Sequence, residues 1–363
     1  MNLELTDEQI ALRDTVRSFL AEKASIAGHV RPMLDDDTGT TDAVWRGLAE
    51  LGATGLLVPQ EYDGAGMTMV EAGIVAEELG AGLHPGPWLS SAVAAPRALT
   101  RFEVAADLAA PLFAGIADGS TIATVGPLDG PRPSVVDGVA LRGEIDSVCD
   151  VAVADVLLIV ADDPDGTGLF AVQASAPGID STLQAGIDQT HKRFRVILDD
   201  TPAQRLSSAA PEAFEALVDD VTIAWAADAL GAARAILHLV VEYAKVRRQF
   251  GQPIGAFQAV QHLCVDMYET VELARSGVIH ALWAADAGDR SERHAAAMRT
   301  KAFAGRLAAV GDTAVQVFGG IGYTWEHDAH LYLKRLLSWS AFLDGSDRYL
   351  VQLGAQFAES VLH

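Results

Sequence analysis

The sequence predicts an α+β protein in three successive parts, helical, then β, then helical. Three observations carry that expectation. Apolar residues recur at helical spacing through about residue 118. At about Gly119 the period changes to short β-branched runs punctuated by turn dipeptides. From Pro211 helical spacing returns and persists to His363. The expected domains are therefore residues 1–118, 119–210 and 211–363. At 363 residues, half of them apolar, the chain exceeds one ordinary core and can bury two or three.

Taken in order, Thr6-Asp7-Glu8-Gln9 has the form of a capping box, and Leu12, Val16, Phe19 and Leu20 form the apolar stripe behind it. A second helix is expected from about Ala43, with Trp45, Leu48 and Leu51 on one face, stopping at Gly52. Leu56-Leu57-Val58-Pro59 reads as a short extended piece, and Glu61 to Gly66 as a turn-rich loop without the context of a phosphate loop. Thr68 and Glu71 open another capping box on a helix running to Gly80, and Trp88 to Ala117 reads as further helix. The strand candidates are Thr121–Val125, Val135–Leu141, Val151–Val160, Leu169–Val172 and Phe194–Leu198. Turns are expected at Asp129-Gly130, Asp137-Gly138 and Asp165-Gly166. Together they suit a small antiparallel barrel or sandwich.

Composition excludes several function classes. A net charge of −23 opposes nucleic acid or an anionic membrane surface as partner. No uncharged apolar run reaches the ~20 residues of a membrane span. Met1 to Ser25 is acidic and amphipathic, unlike a signal peptide. Cys149 and Cys264 make neither a disulfide framework nor metal spacing, so the expectation is a reduced, cytoplasmic protein. His84, His191, His238, His262 and His327 sit in no cluster at ligand spacing, so no metal is expected. Ser90-Ser91 lacks a nucleophile-elbow context, and Cys149 reads as a small buried hydrophobe.

The most informative stretch is Arg247 to Gln261, RRQFGQPIGAFQAVQ, between two long helical patterns. Gly251 and Pro253 break the period, which places Arg247 and Arg248 in the last turn of a helix. Guanidinium groups there either cap the helix or hold an anionic ligand through paired hydrogen bonds. Followed by Gln316-Val317-Phe318-Gly319-Gly320-Ile321-Gly322-Tyr323, this stretch resembles the acyl-CoA dehydrogenase family, and the resemblance covers most of the chain. It implies a helical domain, a small β domain and a four-helix-bundle-type domain, with FAD as cofactor and an acyl-CoA thioester as substrate.

Such chemistry needs a carboxylate to take the proton alpha to the thioester carbonyl, a flavin to take the beta hydride, and donors to polarise the carbonyl. The resemblance puts the base at Asp344, by its spacing from Arg335 and the glycine after it, and a substrate contact at Gly345. Asp344 stands where the family usually has glutamate, and Asp344-Gly345-Ser346-Asp347 equally suits a turn and helix cap. The family's alternative base position, within Asp219-Asp220-Val221-Thr222, falls on Val221 beside Asp220. For the cofactor, the resemblance implies that Arg247, Gln249, Phe250 and Gln258 hold the pyrophosphate and adenosine across a subunit interface, with Gln316, Gly319 and Gly320 as a second contact. The ring-end motifs are degraded, to Val125-Gly126-Pro127-Leu128-Asp129-Gly130 and Ser147-Val148-Cys149.

One ring-end half-site missing and one adenosine-end half-site retained suit the bacterial subset that forms heteromeric α2β2 enzymes on lipids such as steroid side chains. The run Gly322 to Asp328 also looks like that subset, although Trp325 and His327 individually read as core packing and a helix start. The implied partners are the acyl-CoA substrate, a homologous subunit in a heterotetramer or a second copy in a homotetramer, and an electron-transferring flavoprotein. Two alternatives stay open: a self-sufficient homotetramer with Asp344 as base, and a related flavin oxidase on a non-CoA substrate.

Overall fold

Thr6 and Gln9 form the reciprocal capping box. Gln9 N donates to the Thr6 hydroxyl (3.3 Å), Thr6 N donates to Gln9 Oε1 (3.0 Å), and α1 (Asp7–Lys23) follows. The computed structural model describes residues 4–164, 166–209 and 211–361. Met1 and His363, at the ends of the expected helical patterns, and Asp165 of the expected turn lie outside the described residues. Thr41 caps α2 (Asp42–Glu50) through Val44 N. Leu56 to Pro59 is a succession of turns rather than an extended piece. Its carbonyls are taken by the following loop, with Gly66 N donating to Val58 O (2.9 Å) and Met67 N to Leu56 O (2.8 Å). That return is tight enough that a Cβ on Gly64 would lie 2.1 Å from Val58 O. Thr68 N donates to Glu71 Oε2 (3.1 Å) at the head of α3 (Met69–Ala81). A π-helical segment, Trp88–Ala94, leads into α4 (Ala95–Arg101), and α5 (Ala106–Ala117) closes the first helical stretch.

The sheet region contains β1 (Ala123–Gly126), β2 (Ser134–Val136), β3 (Ala140–Cys149), β4 (Val156–Asp163), β5 (Gly166–Gln173), β6 (Ile179–Leu183), β7 (Arg193–Pro202) and β8 (Gln204–Ala209). They form one sheet in the order β6-β7-β3-β2-β4-β5-β8, with β1 paired to β4. Its pairing is mixed rather than wholly antiparallel, because β1 and β2 each run parallel to β4. The expected turn at Asp137-Gly138 is present and divides the strand candidate Val135–Leu141 into a hairpin. Asp137 and Gly138 take left-handed backbone (φ 50° and 77°) and fold β3 back on β2. Alternating inward residues, Leu141, Ile145, Leu157, Ile159, Phe170, Val172, Phe194, Val196 and Leu198, make its core. β6 and β8 escape a search for β-branched runs because β6 is mostly exposed and both are polar.

After the sheet come α6 (Pro211–Val246), the short strands β9 (Arg248–Gln249) and β10 (Gln252–Pro253), α7 (Gln258–Ala287), α8 (Arg290–Ala302), α9 (Ala304–Phe318), α10 (Ala329–Ala341) and α11 (Ser346–Val361). By internal contacts the chain divides into two compact units. One comprises Ala27–Ala72 and Pro85–Ala224, and holds the sheet with α2, α4 and α5. The other comprises Met1–Ile26, Gly73–His84 and Trp225–His363, and is helical. Glu212–Val246 of α6 is long and apolar enough to cross a membrane by composition, but 78% of that window is buried inside the protein, as in a core helix.

Within the helical unit, α3 and α6 approach to backbone contact. A Cβ on Gly231 would lie 1.8 Å from Glu77 O, and one on Gly80 would lie 1.9 Å from Asp228 O. Charges close around this crossing. Arg234 donates to Glu78 (2.7 Å) and pairs with Glu77, while Arg17 grips Glu78 through two bonds of 2.9 Å. From α10, Arg335 reaches Asp228 (3.2 Å) and His84 O (2.9 Å), and Tyr332 donates to Ala81 O (2.8 Å). The segment Gly73–His84 is thereby held by α1, α6 and α10 together. Gly231→Ala is expected to destabilise the protein by about 2–3 kcal/mol through overpacking. Gly277→Ala in α7, where a Cβ meets nothing within 4 Å, should be neutral or stabilising by up to about 1 kcal/mol. Chemical unfolding midpoints of the two variants check this; equal losses would remove the crossing as the cause.

Candidate active site

α6 delivers the first motif. It ends at Val246, so Arg247 lies just past the last turn and Arg248 lies in β9. The expectation that both sit inside the helix is corrected by the turn that follows. Phe250 and Gly251 both take positive φ (52° and 83°), a two-residue hairpin of the type I′ form, and β9 pairs with β10 across it. Arg247 N donates to Tyr243 O and Ile254 N donates to Arg247 O, each at 2.8 Å, which fixes the hairpin's base. Arg248 is spent on the hairpin itself, donating to Gly251 O (2.9 Å), and Gln249 Nε2 donates to Arg248 O (2.8 Å). The Arg247 side chain is exposed, as is that of Gln258 at the head of α7. Phe250 at the tip is 92% exposed and stands edge-on to Phe257 at 6.1 Å.

α9 delivers the second motif. It ends at Phe318, and Gly319 then takes φ +65°, a conformation that favours glycine. A Cβ on either Gly319 or Gly320 would meet nothing within 4 Å, so their backbone is open to a ligand approaching from outside the unit. Gln316, one turn back, is exposed. The Tyr243 ring lies 5.0 Å from the Phe318 ring, and this contact brings the two motifs together at one end of the helical unit. His327 accepts from Ala329 N through Nδ1 (3.0 Å) and so marks the start of α10. Trp325 is 58% exposed rather than in the core, lying edge-on to His330 with Lys334 Nζ 4.9 Å from its ring.

α10 delivers Asp344. Lys301 is fully buried and donates to Trp339 O (2.7 Å) and Ser340 O (3.1 Å), the last carbonyls of that helix. Phe342 stacks on Trp225 (4.7 Å), and Tyr349 OH donates to Leu343 O (2.6 Å). The turn so clamped carries two consecutive left-handed residues, Leu343 (φ 52°) and Asp344 (φ 76°). The Asp344 side chain is 55% exposed. It accepts from Gly345 N (2.8 Å) and from Arg348 (3.2 Å), and these two bonds hold its pKa below the ordinary aspartate value. A general base for carbon acids needs the opposite environment, dry and without a cation on the carboxylate.

The alternative base position lies on α6. Val221 is buried. Asp220 beside it accepts from Arg97 Nε (2.8 Å) and from Arg101 Nε and Nη2 (2.8 and 3.0 Å). It is the acid of a buried three-residue ion pair. The ring-end segment is likewise occupied by its own chain. Ser147 bulges at φ +63°, its N–H donates to Gln184 Oε1 (3.2 Å), and its hydroxyl accepts from Arg193 (3.2 Å). Val148 is buried 2.9 Å from where a Cβ on Gly126 would stand. The Cys149 thiol is pushed up to about 12 by burial and is inert as a nucleophile. The exposed Arg247 and Gln258 and the open Gly319–Gly320 backbone suit the phosphates of a flavin dinucleotide, while the Ser147–Cys149 segment is taken up by contacts within its own chain.

Tyr243 and Lys301 position these motifs and carry no sequence signal beyond helical spacing and a lone lysine in an alanine-rich stretch, whereas Phe318 lies inside the second motif itself. Because folding lowers the Asp344 pKa, its contribution to stability is present above the unfolded value of about 3.9 and is lost as pH falls through the folded value. The stability difference between wild type and Asp344→Ala should accordingly be largest near neutrality and close on acidification, as read from denaturant midpoints against pH. A difference that grows on acidification would contradict the capped, ionised carboxylate.

The chain matches the acyl-CoA dehydrogenase N-terminal domain over residues 6–102 and the C-terminal domain over 219–358. It is 33% identical to the acyl-CoA dehydrogenase IpdE2 of Mycobacterium tuberculosis, over 98% of each chain. It is 35% identical to acyl-CoA dehydrogenase FadE34 of the same organism over 97% of this chain, but spans only 48% of that longer protein. Among solved structures it is similar to a variant of the Tcur3481–Tcur3483 steroid ACAD (TM-score 0.88, 30% identity, 98% of this chain and 99% of that one). It is also similar to a chain of the ChsE4–ChsE5 complex from Mycobacterium tuberculosis (TM-score 0.90, 26% identity, 99% of both). With two domain matches and a full-length relative at this identity, the chain belongs to the acyl-CoA dehydrogenase family of FAD-dependent oxidoreductases.

Proposed function

We propose that this chain is one subunit of a heteromeric acyl-CoA dehydrogenase acting on thioesters of bulky acyl groups of the steroid side-chain type. In this reading Arg247, Gln249, Phe250, Gln258, Gln316, Gly319 and Gly320 grip the adenosine end of an FAD whose ring end and catalytic carboxylate belong to a homologous partner chain. FAD supplies the acceptor for the beta hydride, while the alpha proton goes to a carboxylate and a 2,3 double bond forms. An electron-transferring flavoprotein would take the electrons onward, as the family resemblance implies.

The observation that carries the proposal is electrostatic. Of the two places where the family resemblance puts a base, one holds Asp344, exposed and capped by Gly345 N and Arg348. The other holds Val221, beside an Asp220 bound by Arg97 and Arg101. The Gly345 and Arg348 bonds lower the proton affinity of Asp344, and Asp220 is committed to its two arginines. The self-filled Ser147-Val148-Cys149 segment supports the same reading. So do similar structures named as a Tcur3481–Tcur3483 steroid ACAD variant and as a ChsE4–ChsE5 complex, and a FadE34 long enough for two units of this size. A second reading, a self-sufficient dehydrogenase using Asp344, is favoured by the placement of that residue and Gly345 at the head of α11.

Flavin content and solution mass separate the two. The protein purified alone is expected to hold little FAD, and co-expression with a homologous chain is expected to restore it in a mixed assembly. In that assembly Asp344→Ala should retain activity within about threefold, whereas removal of a working general base costs about 100-fold or more. One FAD per chain in a homotetramer, with activity lost in Asp344→Ala, would overturn the heteromeric reading in favour of the self-sufficient one.

A further inference from the structure

We propose that Phe318 is a positioning residue that sets the spacing between the two halves of the flavin grip. The inference rests on the reading of Arg247 and Gly319–Gly320 as that grip. Phe318 is buried at the end of α9, with its ring between Tyr243 (5.0 Å, 53° between planes) and His327 (4.2 Å, 48°). The Tyr243 carbonyl accepts from Arg247 N (2.8 Å), so one ring contact and one hydrogen bond separate Phe318 from the backbone of the arginine. On its other side Phe318 is joined directly to Gly319, whose φ of +65° turns the chain. The turn then folds back on the same side chain, since a Cβ on Gly322 would lie 3.0 Å from Phe318 Cβ and 3.0 Å from Val315 O. His327 is fixed in turn by accepting from Ala329 N through Nδ1 (3.0 Å).

Two contacts on one dinucleotide act together only if their separation is held. A grip whose halves drift binds through one half at a time and loses the advantage of the second. Here the separation is set by the tilted ring contacts running from Tyr243 through Phe318 to His327. Phe318 does not contact the cofactor in this scheme; it determines where Arg247 and the glycine backbone stand relative to each other.

The test is a double-mutant cycle on FAD dissociation, followed by flavin fluorescence in whichever assembly of the full chain retains flavin. Arg247→Ala and Phe318→Leu are each expected to weaken FAD binding by about tenfold. The double variant should be little weaker than the weaker single variant, because one half of the grip is already lost. Tyr243→Phe, which keeps the ring, should bind FAD as wild type, and Tyr243→Leu should resemble Phe318→Leu. Independent effects that multiply to about 100-fold in the double variant would overturn the positioning role. A lowered thermal midpoint in Phe318→Leu with unchanged FAD binding would overturn it too, leaving Phe318 as core packing. Unchanged FAD binding in Arg247→Ala, or an assembly that never holds flavin, would instead remove the underlying reading of the grip.

Discussion

The structure depends on a backbone-to-backbone crossing of two helices. Gly80 and Gly231 bring α3 and α6 so close that neither position admits a methyl group. Van der Waals contact alone does not fix the angle of such a crossing, and the charges around it do. Glu78 is bound by Arg17 and Arg234, and Asp228 by Arg335. The Arg335–Asp228 pair is buried on both sides and Glu78 is buried beneath half-exposed arginines; such pairs add little net stability, since desolvation and solvent screening offset much of the attraction, but removal of one partner strands a buried charge. Their effect here is to make the crossing specific. Once α6 is fixed, its C-terminal end fixes the base of the Arg247 hairpin. Arg335 and Tyr332 fix α10 against the same segment, and α10 in turn delivers the Asp344 turn. Both candidate half-sites in the helical unit thus hang from one set of contacts.

Much of this was legible in the sequence, for reasons that particular residues show. The capping boxes at Thr6 and Thr68 are local, so four residues suffice to specify them. The change of period at Gly119 is likewise local to the strands it announces. What escaped depended on residues distant in sequence. Leu56–Pro59 has the composition of a strand, but its hydrogen-bonding groups are claimed by Gly64 to Met67. β3 and β6 are polar because one face of the sheet is wet there, and their strand character comes from β7. Trp325 has the composition of a core residue and lies on the surface. Gly231 was visible only as a glycine in an otherwise apolar helix, and its purpose, the carbonyl of Glu77, lies 154 positions earlier (231 − 77) in the chain.

The site divides in the same way. Which residues stand at the motif positions is a matter of sequence, and the hairpin and the glycine turn present them on one end of one unit. What those residues are able to do is a matter of environment. Arg247 and Arg248 read alike in sequence, yet Arg248 closes its own hairpin while Arg247 projects outward. The positive φ of Phe250 and Gly251 forms the hairpin whose Gly251 carbonyl takes the Arg248 guanidinium.

Asp344 shows the same distinction most sharply. Its position suits a base, and a shorter carboxylate is not in itself disqualifying. A carboxylate becomes a useful base for a carbon acid when burial raises its proton affinity, and two features here work against that. The N–H of Gly345 and the guanidinium of Arg348 both stabilise the charged form, and the left-handed backbone at Leu343 and Asp344 holds the side chain where water reaches it. Arg348 lies in the first turn of α11, so the helix that follows Asp344 also supplies the cation that pairs with it. Conversion of this carboxylate into a base therefore requires more than a longer side chain. It requires loss of the Gly345 and Arg348 bonds, in a turn that the Tyr349–Leu343 hydrogen bond and the Lys301 clamp on α10 hold in place.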